Sequence, residues 1–180
     1  MTDNSRLEGR IDHELFSVVD DSDNILGTAT RKQVHSEGLI HRSVLFYVMD
    51  HDGRVFVNQR TKNKEFYQEY WSIVLGGHVH AGETYDAAIK RECNEEVKII
   101  FDDLIYINSF KKRHDFLDRE NINVYAVISN QIPLLDLYEI KQGNFMHLSE
   151  IDKLLKKEKF LPETDILYTM LKIFKLSCCF

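Results

Sequence analysis

The residues with the clearest chemical potential are three glutamates, Glu92, Glu95 and Glu96. On a helix, positions i, i+3 and i+4 share one face, with neighbouring Cβ atoms about 5–6 Å apart. Carboxylates gathered so closely repel one another and cost helix stability. They can instead hold a hard divalent cation, which prefers oxygen ligands. Mg²⁺ takes a few carboxylates and completes its shell with water and substrate phosphate. Glu83 falls near the N-terminus of the same helix, where the dipole favours a carboxylate. Arg91 can pair with Glu95 one turn on, or reach back about two turns to Glu83. Gly76, Gly77 and Gly82 permit a tight loop feeding the helix. The bland alternative is a solvated acidic helix.

These side chains need a scaffold. Glu14–Val19 and Ile25–Thr30 are expected as a strand pair around the turn Asp20-Asp21-Ser22-Asp23-Asn24. Arg31–Gly38 is a short helix or a loop. The apolar run Ser43–Met49 reads as a strand covered on both faces, with Val55–Gln59 as its partner across Asp50-His51-Asp52-Gly53. Trp71–Leu75 is a buried strand that Gly76-Gly77 breaks, and Thr84–Val97 is a helix. Strands are expected within Ile99–Ser109, over Asn123–Ser129 and over Asn144–Leu148. Ser149–Lys157 is a helix with Ser149 as N-cap, and Glu163–Leu176 is the last helix. Its apolar face carries Ile166, Leu167, Met170, Leu171 and Phe174. The order of elements predicts α+β architecture, with a mixed sheet and helices on its faces.

Whole-chain properties narrow the function. The chain has 180 residues, which fits one domain over 11–180 behind a flexible tail, 1–10. A net charge of −6 argues against a protein that coats nucleic acid, and means that an anionic substrate needs help from cations. No stretch approaches the roughly 18 apolar residues of a membrane span. Cys93, Cys178 and Cys179 make an odd, irregular set rather than a disulfide framework, which points to a reducing cytoplasm. The oligomeric state is left open, a dimer included.

The segment Gly76–Lys98 (GGHVHAGETYDAAIKRECNEEVK) resembles the Nudix box. That box runs Gly, five residues, Glu, seven residues, then Arg-Glu-apolar-any-Glu-Glu-any-Gly-apolar. Gly77, Glu83, Arg91, Glu92, Glu95 and Glu96 all match. Cys93 stands at an apolar position as a small hydrophobe. Lys98 replaces the box glycine, which puts the helix exit in question. The resemblance implies a Nudix fold, an α/β/α sandwich, and a hydrolase that cleaves a diphosphate linkage. The implied substrate is a nucleoside diphosphate derivative or similar small molecule. It further implies Mg²⁺, with Mn²⁺ as the alternative, held by Glu95 and Glu96. Glu92 would be a further ligand or the base that activates water, and the Gly76 carbonyl would add a ligand. Gly77, Glu83 and Arg91 would be structural.

The likeness extends over about Asp12–Leu171. It includes Gly27-Thr28-Ala29-Thr30-Arg31, Val34-His35, His41-Arg42 and Phe160-Leu161-Pro162, and it resembles the branch of the superfamily that contains isopentenyl-diphosphate isomerase. That raises a rival reading, double-bond isomerisation. The isomerases use a cysteine two residues before a metal-binding histidine. Here the histidine is His78 and the cysteine position is Gly76. Of the isomerases' acidic pair, Glu120 stands for one member, and the other falls on Ile122 or a neighbouring asparagine. His35, His41 and His78 are candidates for a second metal or substrate site, or single histidines without such a role. His51 and His80 are read as surface residues. Trp71, Tyr70 and Phe66 are either core or a stacking surface for a base, with core favoured. Arg60, Lys62 and Lys64 either meet a terminal phosphate or form a solvated loop. A third reading is a binding domain without catalysis, against which the intact acid triad argues.

Overall fold

The computed structural model describes residues 14–113 and 118–177. In chain order the elements are β1 Leu15–Val19, β2 Ile25–Thr30, α1 Arg31–Glu37, β3 His41–Met49, β4 Val55–Arg60, β5 Trp71–Ser72, β6 Leu75–His78, α2 Tyr85–Glu96, β7 Asp103–Lys112, β8 Glu120–Ile128, β9 Ile140–Met146, α3 Leu148–Leu155 and α4 Thr164–Ser177. The expected tail over residues 1–10, and Cys178 and Cys179, lie outside the described residues. The chain forms two compact units. One comprises the segment up to Val44, Gly77–Ile89 and Ser109–Asn123; the other comprises Leu45–Gly76, Lys90–Asn108 and the segment from Val124 on.

In the first unit, β1 and β2 pair antiparallel, with Phe16 opposite Ala29. Their turn is held by Asp20, whose Oδ1 accepts from the N–H groups of Ser22 and Asn24 at 2.8 and 2.9 Å. The open question over Arg31–Gly38 resolves as a helix because both ends are capped. The Thr30 hydroxyl and the Gln33 side chain form a reciprocal capping box, and Gly38 ends α1 in the left-handed region at φ 63°. Its inward residue Val34 packs in a buried cluster with Phe16 and Ala29. This anchoring places His35 on a short, well-fixed helix. His41 opens β3 opposite Val18 of β1.

In the second unit, β4 is the organising strand. It pairs antiparallel with β9 (Phe56 opposite Phe145, Asn58 opposite Gly143) and with β5 (Asn58 opposite Ser72). The turn before β4 is closed by Asp50, which accepts from the Arg54 N–H at 2.8 Å and from Arg54 Nε at 2.7 Å. Tyr47 of β3 is fully buried, and its hydroxyl donates to the Leu167 carbonyl on α4 at 2.6 Å.

Several sequence expectations need correction. Gly76-Gly77 does not end a strand but lies inside β6. The break falls earlier, where the Ser72 hydroxyl donates to the Val74 carbonyl and accepts from the Val74 N–H, turning the chain locally. Strand β9 starts at Ile140 rather than Asn144. Helix α3 is entered through His147, whose N–H donates to Glu150 Oε2 at 2.8 Å, so Ser149 lies inside the helix and is not its cap. The buried face of α4 runs through Thr164, Leu167, Tyr168, Leu171 and Phe174, leaving Ile166 exposed.

Candidate active site

Helix α2 carries the acid triad. Ala88, Ile89 and Cys93 are fully buried, so the helix has one solvent-free stripe. Glu92 and Glu96 follow Ala88 at successive four-residue steps and are drawn toward that stripe, while Glu95 stays exposed. Thr84 starts the helix by accepting from the Ala87 N–H at 3.2 Å. Just ahead of it, Glu83 Oε2 accepts from the His80 N–H at 3.0 Å, and the Glu83 N–H donates to the His80 carbonyl at 3.0 Å. Gly82 adopts φ 80° in that turn, a conformation that favours glycine. Arg91 Nη1 donates to Glu92 Oε1 at 2.6 Å and to Glu95 Oε2 at 3.4 Å. It thus makes the expected pair with Glu95 and a shorter one with its neighbour.

The far end of α2 is equally defined. The N–H groups of Leu134 and Asp136 donate to the carbonyls of Val97 and Glu96 at 2.8 and 2.9 Å, capping acceptors that a helix end leaves open. Lys98 then takes φ 55°, the left-handed turn for which glycine is usual. A lysine in that conformation carries strain that a glycine would avoid.

Glu96 is a strongly perturbed acid. Burial raises its pKa to about 7, against the opposing pull of Lys64 and Arg60 and a hydrogen bond from the Gly76 backbone. Its Oε2 is buried and has no hydrogen-bond partner among the described residues. Burial also raises the Glu92 carboxyl, against Arg91. A buried carboxylate oxygen without a donor is unfavourable by itself. It becomes favourable next to a cation, so the Glu96 carboxylate has the chemistry of a metal ligand.

Glu96 opens into a cavity of about 70 Å³ lined by Asn58, Arg60, Lys64, Gly76 and Glu139 among others. Of the three basic residues before it, Lys62 is exposed, whereas Arg60 and Lys64 line this space. Arg60 Nη2 donates to the Phe66 carbonyl at 3.1 Å, and its Nε is buried without an acceptor. Lys64 forms an ion pair with Glu139. Burial lowers the Lys64 pKa, while Glu96 opposes that. The aromatic residues divide. Trp71 and Tyr70 are half-buried, and Phe66, favoured as core, is instead 64% exposed.

In the first unit the three histidines converge, although they come from separate elements. The ring centroids of His35 and His41 are 5.2 Å apart, those of His35 and His78 5.5 Å, and those of His41 and His78 5.0 Å. Each can offer a nitrogen such that all three atoms lie within 4.8 Å of one another. Phe16 stacks on His78 at 4.7 Å and on His41 at 5.7 Å. His80 is half-buried and stacks on the same ring at 6.1 Å, so it is not a bare surface residue. His41 Nδ1 lies 3.1 Å from the Leu39 carbonyl and donates to it, which leaves Nε2 as the lone-pair nitrogen. That Nε2 is buried with no hydrogen-bond partner among the described residues. Burial lowers the pKa of both His41 and His78 and keeps the rings neutral. Arginine can only donate, so Arg31 Nη1 at 3.0 Å makes His78 Nδ1 an acceptor.

The sequence reading missed Asp118. The acidic partner of Glu120 is not at Ile122 or an asparagine but two residues earlier. Asp118 and Glu120 share a hydrogen bond, with Lys112 2.6 Å from Asp118 and 3.6 Å from Glu120. Burial pushes Glu120 upward, but the Asp118 hydrogen bond and Lys112 outweigh it and hold the carboxyl below the usual range. Burial and the Glu120 hydrogen bond raise Asp118. Both acids act electrostatically on His41. The i, i+2 spacing, which puts alternate residues of an extended segment on one face, was the available signal.

The NUDIX domain model matches residues 39–165. The chain belongs to the Nudix hydrolase family, enzymes that act on phosphoric anhydride bonds. An uncharacterised Nudix hydrolase of Streptomyces coelicolor is 28% identical over 174 residues, covering 90% of each chain. Isopentenyl-diphosphate Delta-isomerase 2 of Photorhabdus laumondii is 26% identical over 147 residues, covering 79% of this chain and 82% of its own. Among solved structures, DR0079 of Deinococcus radiodurans superposes with a TM-score of 0.72 at 22% identity, covering 86% of this chain and 96% of its own. The fold is the expected α+β Nudix fold, with a mixed sheet flanked by helices. Among the described residues, no helix is long and apolar enough to cross a membrane.

Proposed function

We propose that this enzyme is a Mg²⁺-dependent pyrophosphohydrolase, with Mn²⁺ as a substitute, acting on a nucleoside diphosphate derivative or similar small diphosphate in the cytoplasm. The observation that carries the reading is Glu96 Oε2, buried without a partner in a cavity that also holds Arg60 and Lys64. Glu92, Glu95, Glu96 and the Gly76 carbonyl would hold the cation, which when bound neutralises diphosphate oxygens and lowers the pKa of an attacking water. Arg60 has an unused buried donor and meets a phosphate oxygen. Lys64 supplies a second positive charge to the diphosphate. Glu92, whose carboxyl burial raises above the usual carboxylate range, suits a base that takes the proton of the water. Gly77, Glu83 and Arg91 keep the loop and helix in place.

The histidine cluster supports a second cation site at His35, His41 and His78. The unpartnered His41 Nε2 and the nearby acids Asp118 and Glu120 favour it. This feature keeps the isomerase reading in view, although Gly76 stands where that reaction needs a thiol. The test is release of phosphate or pyrophosphate from a panel of nucleoside polyphosphates, nucleotide sugars, coenzyme A and isopentenyl diphosphate with Mg²⁺ or Mn²⁺. A Glu95→Gln/Glu96→Gln control runs beside it. Metal-dependent release that the control abolishes supports the hydrolase. Double-bond migration in isopentenyl diphosphate without release would replace it.

A further inference from the structure

The Lys64 ammonium and the Glu96 carboxylate line the same cavity, yet Glu96 Oε2 has no hydrogen bond. An ammonium near a buried carboxylate would ordinarily close on it, because the attraction is strong where water is scarce. Lys64 forms its ion pair with Glu139 instead. The backbone at Glu139 is held from both sides. Its N–H donates to the Asp136 carbonyl at 3.0 Å, and its carbonyl accepts from the Thr61 N–H at 3.1 Å. The adjacent Tyr138 carbonyl accepts from the Thr61 hydroxyl at 2.5 Å and from Asn63 Nδ2 at 3.3 Å. The same segment is tied to the catalytic helix through Asp136 and Glu96. One loop thus grips both the segment after β4 that carries Lys64 and the helix that carries Glu96.

From this we infer that Glu139 is a positioning residue that holds Lys64 away from Glu96 and so keeps the Glu96 carboxylate available to a divalent cation. The inference rests on the proposed cation site at the triad. Without Glu139, Lys64 becomes the counter-ion of Glu96 and competes with the metal. With Glu139, the lysine is held at the cavity for the anionic substrate. The position acts on metal loading rather than on the chemical step.

The test measures Mn²⁺ binding to the full chain without substrate, by electron paramagnetic resonance of free ion. Only ions lost in Glu95→Gln/Glu96→Gln are counted, so binding at the histidines does not enter. Glu139→Gln is expected to weaken this binding about tenfold. Lys64→Met binds at least as well as the unaltered protein, and Glu139→Gln/Lys64→Met returns to the Lys64→Met value. Glu139→Asp, which keeps the carboxylate, stays within about threefold. The rescue by removing Lys64 is a readout that general damage to the loop does not produce. Unchanged affinity in Glu139→Gln, or a double variant as weak as Glu139→Gln, overturns the inference. If Glu95→Gln/Glu96→Gln loses no Mn²⁺, the triad itself is not the cation site, and it is the underlying reading that fails.

Discussion

The backbone N–H of Asp136 donates to the carbonyl of Glu96 at 2.9 Å, joining the loop before β9 to the last turn of helix α2. This bond and its neighbour from Leu134 to Val97 take up helix-end acceptors at the residues where the acid triad ends. The triad is therefore set from both sides: by helical spacing within α2, and by a loop that arrives from much later in the chain.

Lys98 follows that capped end in the left-handed region. An L-residue there carries a steric penalty on the order of 1 kcal/mol that glycine avoids, partly offset by the extra freedom glycine has when unfolded. Lys98→Gly is expected to raise stability by about 0.5–1 kcal/mol, read as a higher denaturation midpoint at unchanged slope. A β-branched replacement, Lys98→Val, should lower it. No gain with glycine would mean that the exposed lysine makes a compensating contact.

Glu96 predicts a pH dependence for the metal-free protein. Its carboxyl is held at about 7 in the folded chain, against 4.5 for an unperturbed one. Between those values the folded chain takes up a proton that the unfolded chain does not. Its contribution to stability is complete below 4.5 and is lost as the pH rises through 7. Glu96→Gln should therefore stabilise the metal-free protein at pH 8 by on the order of 1–3 kcal/mol and have little effect at pH 4.5. Equal effects at both pH values would refute the buried charge as the cause.

Arg60 offers a buried donor to the cavity. Replacement by Met should raise KM for the substrate found in the panel by about tenfold or more, with a smaller change in kcat. Replacement by Lys restores the charge but not the planar fork and should rescue only partly. A kcat loss at unchanged KM would assign Arg60 to the transition state alone.

His41 predicts the opposite pH limb. Its pKa is lowered in the folded chain by burial. The unfolded chain therefore binds the proton more readily, and stability falls as the pH drops below about 6.5. His41→Gln should flatten that limb in denaturant titrations of metal-free protein between pH 7.5 and 5. Zn²⁺ or Mn²⁺ that protects the unaltered protein but not this variant would support the second cation site.

Much of helix α2 was legible because its logic is local. The period of an α-helix puts Glu92, Glu95 and Glu96 on one face wherever the helix lies, and Gly82, Glu83 and Thr84 hold their turn through bonds to residues a few positions away. Short-range chemistry also made the capped helix at Arg31–Glu37 conceivable, although the choice between helix and loop needed the Thr30–Gln33 box and the packing of Val34. The exposure of Phe66 and Ile166 was not legible, since an apolar side chain does not state whether a neighbour will cover it.

Composition and spacing by themselves determined the class of chemistry: a helix of crowded carboxylates fed by glycines, with a basic loop ahead of it. Tertiary structure alone decided which of those charges meet. His35, His41 and His78 belong to three elements and converge only because α1, β3 and β6 are brought together around Phe16. Asp118 joins Glu120, Lys64 turns to Glu139, and Glu96 loses its water for the same reason. Periodicity specifies which residues share a face of one element, whereas burial and long-range pairing depend on which elements pack, and that is decided by the free energy of the whole chain.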